Sequence, residues 1–224
     1  MTMWTIPSSR YSSPSLCSIA AVRTSRTTIL EAYARLLADE GERGATMDAT
    51  ARLAGVSKGG LLYHFPSKES LAEALCEHLE ELVQADAQTM RTAPEGAARY
   101  YIRTSSFEGT DLDRTLVAVA RLSRTDHPRA VEVSRWASEL WLSVLVDAIG
   151  DADVARAVKL VGDGLYYEAL LSDPEVGTDV DRPDPGDPST GAVPPVAGAP
   201  RQAIGGRDLE GLLRVIDRLT DLAG

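Results

Sequence analysis

The chain has 224 residues, of which 44% are hydrophobic, enough for one large domain or two small ones with a true core. Its two cysteines, Cys17 and Cys76, give neither a disulfide framework nor a metal cluster, so we expect two unpaired thiols in a reducing cytoplasm. No apolar run approaches the length of a membrane span, and we expect a cytoplasmic protein with no membrane partner.

The charge of the chain is distributed unevenly. The net charge of -10 at first argues against a nucleic-acid partner. Up to Lys68, however, there are 8 Lys and Arg against 5 Asp and Glu, whereas from Glu69 onward there are 15 against 28. A basic head on an acidic body is typical of a protein that contacts phosphates with one end only.

Residues 1–23 are mostly polar and rich in Ser and Pro, which predicts a disordered arm. Nearby arginines leave open a contact with a DNA backbone, against the simpler interpretation of a solvated segment. A first helix is then predicted from about Ser25 to Gly41, because apolar residues recur at helical spacing. Its buried face is predicted to consist of Ile29, Leu30, Tyr33, Leu36 and Leu37.

The stretch from Thr46 to Lys68 predicts two short helices joined by a tight turn. Thr46 and Ser57 each precede a helix that their hydroxyl groups can cap. Gly55 falls where a chain leaving a helix often needs a positive φ, and Pro66 cannot continue the second helix. Two helices joined by a short turn that contains Gly form the helix-turn-helix layout.

Residues 29–75 resemble the DNA-binding domain of the tetracycline-repressor (TetR) family, because the turn glycine, the Ser cap, Tyr-His-Phe and the following Lys fall in register. The resemblance implies an all-α fold, with a three-helix helix-turn-helix DNA-binding domain at 24–68 and a helical ligand-binding and dimerisation domain at 69–224. It implies a transcription regulator, usually a repressor, that binds a palindromic operator in double-stranded DNA as a homodimer and is released by a small-molecule effector.

The resemblance also implies residue roles. In that family the cap of the second helix contacts a phosphate, which implies Thr46 here. The aromatic residue before His-Phe and the Lys that begins the fourth helix contact the DNA backbone, which implies Tyr63 and Lys68. The start of the third helix enters the major groove, which implies Ser57, Lys58, Gly59, Gly60 and Leu61.

The recognition helix departs from the common family pattern. Gly60 stands where Thr is frequent, Leu62 where a first Tyr is frequent, and Thr50 replaces a usual Ile. Because few side chains are left to read bases, we expect specificity to depend on Lys58, Tyr63, His64 and DNA shape. For His64, a DNA contact and a packing or capping role both remain open.

A fourth helix, capped by Ser67 and running toward Met90, is predicted to link the head to the body. Five further helices are expected at 97–107, 112–123, 129–149, 151–172 and 208–222. Gly162 and Gly164 indicate either a close helix–helix approach, as at a dimer interface, or a bend. Residues 173–207 are rich in Pro, Gly and Asp, which predicts a disordered loop, either a ligand lid or a flexible insertion.

The family resemblance implies a homodimer formed through the helices at 151–172 and 208–222. A pocket for an unknown effector is expected among the helices at 97–107, 112–123, 129–149 and 151–172. Its aromatic residues favour an apolar or aromatic ligand, whereas Arg103 or Arg121, if turned inward, favours an anionic one. The candidate lining residues are Tyr100, Tyr101, Arg103, Phe107, Arg121, Trp136, Trp141, Tyr166 and Tyr167.

Other classes of function are weighed against this interpretation. The sequence has no nucleophile elbow, phosphate loop or metal-spaced His/Cys set, so we expect no enzyme activity, metal or cofactor. The alternatives are a helix-turn-helix protein that acts mainly through protein–protein contacts, and an activator. Steep salt dependence of DNA binding would separate the regulator from the protein-docking alternative.

Overall fold

The computed structural model describes residues 16–106, 108–125, 127–172 and 206–221. The described residues form α-helices and no β-strand, which confirms the predicted all-α fold. Among them, no helix combines the length and the apolarity that crossing a bilayer requires. The helices are α1 (Leu16–Gly44), α2 (Met47–Leu53), α3 (Lys58–His64), α4 (Lys68–Arg91), α5 (Ala97–Thr104), α6 (Asp111–Ser123), α7 (Pro128–Ile149), α8 (Ala152–Ser172) and α9 (Gly206–Asp221).

Helix α1 begins at Leu16, so the predicted start near Ser25 is wrong and residues 16–23 are helical rather than part of an arm. The stretch Leu-Cys-Ser-Ile-Ala-Ala-Val contains good helix formers and neither Gly nor Pro, so nothing in it stops the helix from extending. The helical geometry is interrupted at Gly41, whose φ of 69° lies in the left-handed region. Gly41 is the residue at which the sequence predicted the end of the first helix. Residues 1–15 and most of the predicted 173–207 loop lie outside the described residues.

Side-chain caps fix where the helices start. Ser67 and Ser70 form a reciprocal capping box at α4, each hydroxyl accepting the other residue's backbone N–H at 3.1 Å. At α7 the ring nitrogen Nδ1 of His127 accepts the backbone N–H of Ala130 at 3.3 Å, and Pro128 occupies the first turn. The predicted cap of α4 is therefore confirmed.

Two hydrophobic cores lie one after the other along α4 and α7. The first contains Leu71 to Val83 of α4, Val133 of α7, and buried residues of α1, α2, α3 and α6. The second contains Met90 of α4, Leu145 of α7, and buried residues of α5, α8 and α9. Because α4 and α7 each run through both cores, the helix-turn-helix is packed on the body rather than tethered to it.

The glycine at position 162 permits a close approach between α5 and α8. A Cβ atom there would lie 2.5 Å from Cε1 of Tyr101 and 2.7 Å from Oγ of Ser105, both of which belong to the α5 region. Helix α8 continues through this position without a break. Of the two interpretations that the sequence left open for Gly162, close approach within one chain is therefore the correct one.

Arg129 of α7 joins α7 to the acidic side of α4. Its guanidinium lies 2.8 Å from Oε1 of Glu80 and 3.5 Å from Oε1 of Glu73, and it also reaches Glu132 at 3.2 Å on its own helix. The Arg129 side chain is 28% exposed, so these contacts are less screened than ordinary surface pairs. Glu73 and Glu80 accordingly face the body.

Replacing Arg129 by Met should lower the free energy of unfolding by about 1 kcal/mol, because the apolar stem is kept and the α4–α7 ion pairs are lost. Urea unfolding in low and high salt measures this loss, which should shrink as salt screens the wild-type pairs. Arg135→Met is the matched control, since Arg135 is an exposed arginine on the same helix. Equal stability of the two variants at low salt would contradict the assignment.

Candidate nucleic-acid interface

The α2–turn–α3 unit is held by local hydrogen bonds. Oγ1 of Thr46 accepts the backbone N–H of Ala49 at 3.2 Å, and Oγ of Ser57 accepts that of Gly60 at 3.1 Å. Gly55 has a φ of 67°, the left-handed conformation predicted for the turn. The backbone N–H of Val56 then donates to the carbonyl of Ala51 at 3.0 Å, which closes the turn. These hydrogen bonds fix the orientation of α3 relative to α2.

One side of α3 and its neighbours is buried. Leu61 is 0% and Phe65 2% exposed, and both belong to the first core. Thr50 of α2 is also fully buried, but its hydroxyl donates to the carbonyl of Thr46 at 2.8 Å, so the Thr that replaces a usual Ile leaves no unpaired polar group. The predicted contact between Leu61 and DNA is therefore wrong for its side chain, because that side chain anchors α3 in the core.

The other side of α3 is open. Tyr63 is 81% and Leu62 41% exposed, and a Cβ atom at Gly59 would meet no atom within 4 Å. The rings of Tyr63 and His64 meet edge to face, with centroids 5.2 Å apart. The outer face of α3, formed by Ser57, Lys58, Gly59, Leu62 and Tyr63, thus has no part in packing the core.

The two lysines that the sequence assigned to DNA have acidic neighbours in the free protein. Nζ of Lys58 lies 2.9 Å from Oδ1 of Asp48 on α2. Nζ of Lys68 donates to the backbone carbonyl of Glu42 at 2.6 Å and lies 3.7 Å from the Glu42 carboxylate. Lys68 therefore ties the start of α4 to the end of α1, a structural role that the sequence did not predict.

Sequence reasoning overlooked two charged residues of α2 at this surface. Asp48 faces Lys58, and Arg52 follows Asp48 by four residues, so the two lie on the same side of α2. Arg52 is exposed. The i, i+4 spacing of Asp48 and Arg52 is the feature of the sequence that indicates a shared charged side of α2.

In the body, two of the predicted pocket residues hydrogen-bond to one half-buried carboxylate. Oδ1 of Asp86 accepts the hydroxyl of Tyr100 and Oδ2 accepts the indole N–H of Trp141, both at 2.8 Å. Burial and the bond to Asp86 raise the pKa of Tyr100 to about 12. Asp86, Tyr100 and Trp141 therefore connect α4, α5 and α7 in one polar cluster, which we call the Asp86 cluster.

A second set of contacts surrounds α8. The hydroxyl of Tyr101 donates to Oδ1 of Asp163 at 2.6 Å, and Nζ of the buried Lys159 donates to Oδ2 of the same carboxylate at 2.7 Å. Burial, with the Asp163 carboxylate adding to it, raises the pKa of Tyr101. Burial, with the Asp113 carboxylate adding to it, also raises the pKa of Tyr166.

The remaining candidates are scattered. Tyr167 is 63% exposed, so the prediction that it lines an interior pocket is wrong for a single chain. Arg103 is exposed, pairs with Glu95 and has its guanidinium carbon 5.8 Å from the centroid of the Tyr100 ring, so it lies on the surface rather than turned inward. Arg121 lies beside Gly41 at the end of α1. Trp136 packs partly buried against the first core. Phe107 lies outside the described residues.

Comparisons with known proteins agree with this geometry. Residues 29–75 match the family of bacterial regulatory proteins of the tetR family. The HTH-type transcriptional regulator RutR of Escherichia coli (strain K12) is 38% identical over 85 residues, which cover 37% of this chain and 40% of that protein. The matched region thus spans about two fifths of the length of this curated relative.

Two other proteins are similar over more of the chain. The HTH-type transcriptional repressor KstR2 of Rhodococcus jostii (strain RHA1) is 29% identical over 153 residues, 62% of this chain and 74% of that protein. The crystal structure of the multidrug binding protein EbrR complexed with imidazole covers 87% of this chain and 93% of its own, at 22% identity and a TM-score of 0.50. That likeness shows that the fold of EbrR is shared.

The adjacent residues Leu61 and Leu62 provide a test of how α3 is oriented. Leu61→Ala should lower the free energy of unfolding by about 2–5 kcal/mol because it leaves a cavity in the core. Leu62→Ala should change it by less than about 0.5 kcal/mol because Leu62 lies on the surface. Chemical denaturation of both variants measures the difference, and a larger loss for Leu62→Ala would mean that α3 is rotated from the orientation described.

Proposed function

We propose that this chain, whose N-terminal domain belongs to the tetR family of bacterial regulatory proteins, is a DNA-binding transcriptional regulator that acts as a homodimer on a palindromic operator. The supporting observation is the outer face of α3, where Tyr63 is 81% exposed beside an open Gly59. A recognition helix places its N-terminal residues against base edges in the major groove. A capped helix whose outer face is free of packing suits that role.

The proposed dimer is supported by apolar residues on α8 and α9 that one chain leaves in water. Leu160 is 65% and Tyr167 63% exposed on α8, seven residues apart and therefore on one side of that helix, and Val215 of α9 is 40% exposed. A second copy of the chain would cover this surface by the same residues, as a two-fold interface requires. Pairing also supplies two recognition helices, which a palindrome needs.

The proposed regulator represses and is released by a small molecule that binds in the body. KstR2, a relative over much of the chain, is named a repressor. The Asp86 cluster supports a ligand site, because it gathers two aromatic side chains around a half-buried carboxylate. Since α4 carries Asp86 and also begins at Lys68 beside the helix-turn-helix, a shift of α4 would reach both sites.

The experiment that tests DNA binding uses the full chain on a pool of genomic fragments, followed by footprinting of the enriched fragments. We expect a palindromic footprint with half-site centres about one helical turn apart and an affinity that falls steeply with salt. Gly59→Leu is a matched variant, because open space around Gly59 lets it fold while the side chain holds α3 off the duplex. No enrichment, or binding that ignores salt, would contradict the proposal.

Leu160→Lys should convert the proposed dimer to a monomer, because it places a charge in the middle of an apolar interface. Sedimentation equilibrium at several concentrations measures the mass. Val131→Lys is the control, since Val131 is an apolar residue of α7 that is also partly exposed, and it should leave the dimer intact. Two variants of equal mass would place the interface elsewhere.

A further inference from the structure

Asp48 and Lys58 form an ion pair across the helix-turn-helix turn. Oδ1 of Asp48, in the first turn of α2, lies 2.9 Å from Nζ of Lys58, the first residue of α3. Both side chains remain more than half exposed, at 64% and 61%. The carboxylate therefore lies beside the first residue of α3, at the end of the helix that a recognition helix turns toward the bases.

This pair lowers the free positive charge at the tip of the helix-turn-helix. Lys58 is paired with Asp48, and the second lysine of the region, Lys68, is held by Glu42. Arg52 remains as an exposed cation on the same side of α2 as Asp48. Because non-specific affinity for DNA grows with the number of phosphates that a protein neutralises, a paired Lys58 gives the free protein little affinity for arbitrary sequences.

A carboxylate in this place also has a specific partner on DNA. It repels phosphates, but it accepts hydrogen bonds from exocyclic amino groups in the major groove, above all N4 of cytosine. When α3 docks and Lys58 turns toward the duplex, Asp48 loses its cation and is left unpaired unless such an amino group faces it. A sequence without that group therefore leaves a desolvated carboxylate, which weakens binding.

We propose that Asp48 is a specificity-determining residue, which masks Lys58 against arbitrary DNA and accepts a hydrogen bond from a base amino group, that of cytosine, in the operator. The inference rests on the proposed function. It adds that discrimination by this chain depends on a negative charge in α2 as much as on the side chains of α3.

The test compares Asp48→Asn with wild type on two duplexes, the enriched operator and a random sequence of equal length. On random DNA we expect Asp48→Asn to bind more tightly and to make the salt slope more negative by about 0.9, the value for one additional phosphate contact. The ratio of operator to random affinity should fall roughly tenfold, because random DNA is bound more tightly and because the neutral amide oxygen of Asn is a weaker acceptor for the cytosine amino group than a carboxylate. Asp39→Asn is the control, because Asp39 is also an exposed, ion-paired carboxylate, held by Arg35 at 3.4 Å.

A second arm separates masking from a general charge effect. In a Lys58→Met background, Asp48→Asn should give a clearly smaller gain on random DNA, because only the repulsion between the carboxylate and the phosphates is then removed and Lys58 is no longer there to be released. Base substitution in the operator should identify one cytosine whose replacement weakens wild type more than it weakens Asp48→Asn. An unchanged affinity ratio, a gain equal to that of Asp39→Asn, or a gain of undiminished size in the Lys58→Met background would overturn the inference. If wild type itself shows no salt-dependent DNA binding, the proposed function is wrong instead.

Discussion

The orientation of α3 depends on the burial of Leu61 and Phe65. Helix α3 has seven residues, too few to be stable alone, so its position comes from its cap, the turn and these two anchors. Once Leu61 faces the core, the 3.6-residue period of the helix places Gly59 and Tyr63 on the opposite side, and the exposed fraction of Tyr63 is 81%. The surface that we propose for DNA is thus a consequence of how the core is packed.

The same core connects this surface to the body. Helices α4 and α7 run through both hydrophobic cores, and Arg129 binds carboxylates of α4 from α7. Lys68 adds a link from the start of α4 to the end of α1. A displacement of α4 at the Asp86 cluster therefore cannot leave the helix-turn-helix unaffected, because packed helices move as rigid units. This continuity is the physical basis for the proposed release by an effector.

The features of the fold that depend only on neighbouring residues were predictable from the sequence. The caps at Ser57 and Ser67, the turn at Gly55 and the stop at Gly150, whose φ is 82°, each depend on one or two neighbouring residues. The start of α1 was missed because the apolar stretch at residues 16–22 is short and follows polar sequence rich in Ser and Pro, so it has no periodic signal strong enough to distinguish a helix from an arm.

The wrong predictions about site residues have two causes. The sequence does not show how a helix is rotated about its axis, and it does not show which residues of different helices are in contact. A family motif gives the positions of a recognition helix but not which of them point inward, so Leu61 was assigned to DNA although it is buried. The burial of Gly162 against Tyr101 and the pairing of Lys58 with Asp48 join residues on different helices, which spacing along the chain does not reveal. Tyr167 was grouped with interior tyrosines because composition does not separate the two sides of α8.

The outer face of α3 is the surface that we propose meets DNA. The backbone amide resonances of glycine-labelled protein, followed during titration with the enriched duplex, test this placement. We expect the resonances of Gly59 and Gly60 to shift strongly, while those of Gly150 at the end of α7 and Gly96 before α5, in the same spectrum, stay in place. Saturable binding that leaves Gly59 and Gly60 unshifted would contradict it.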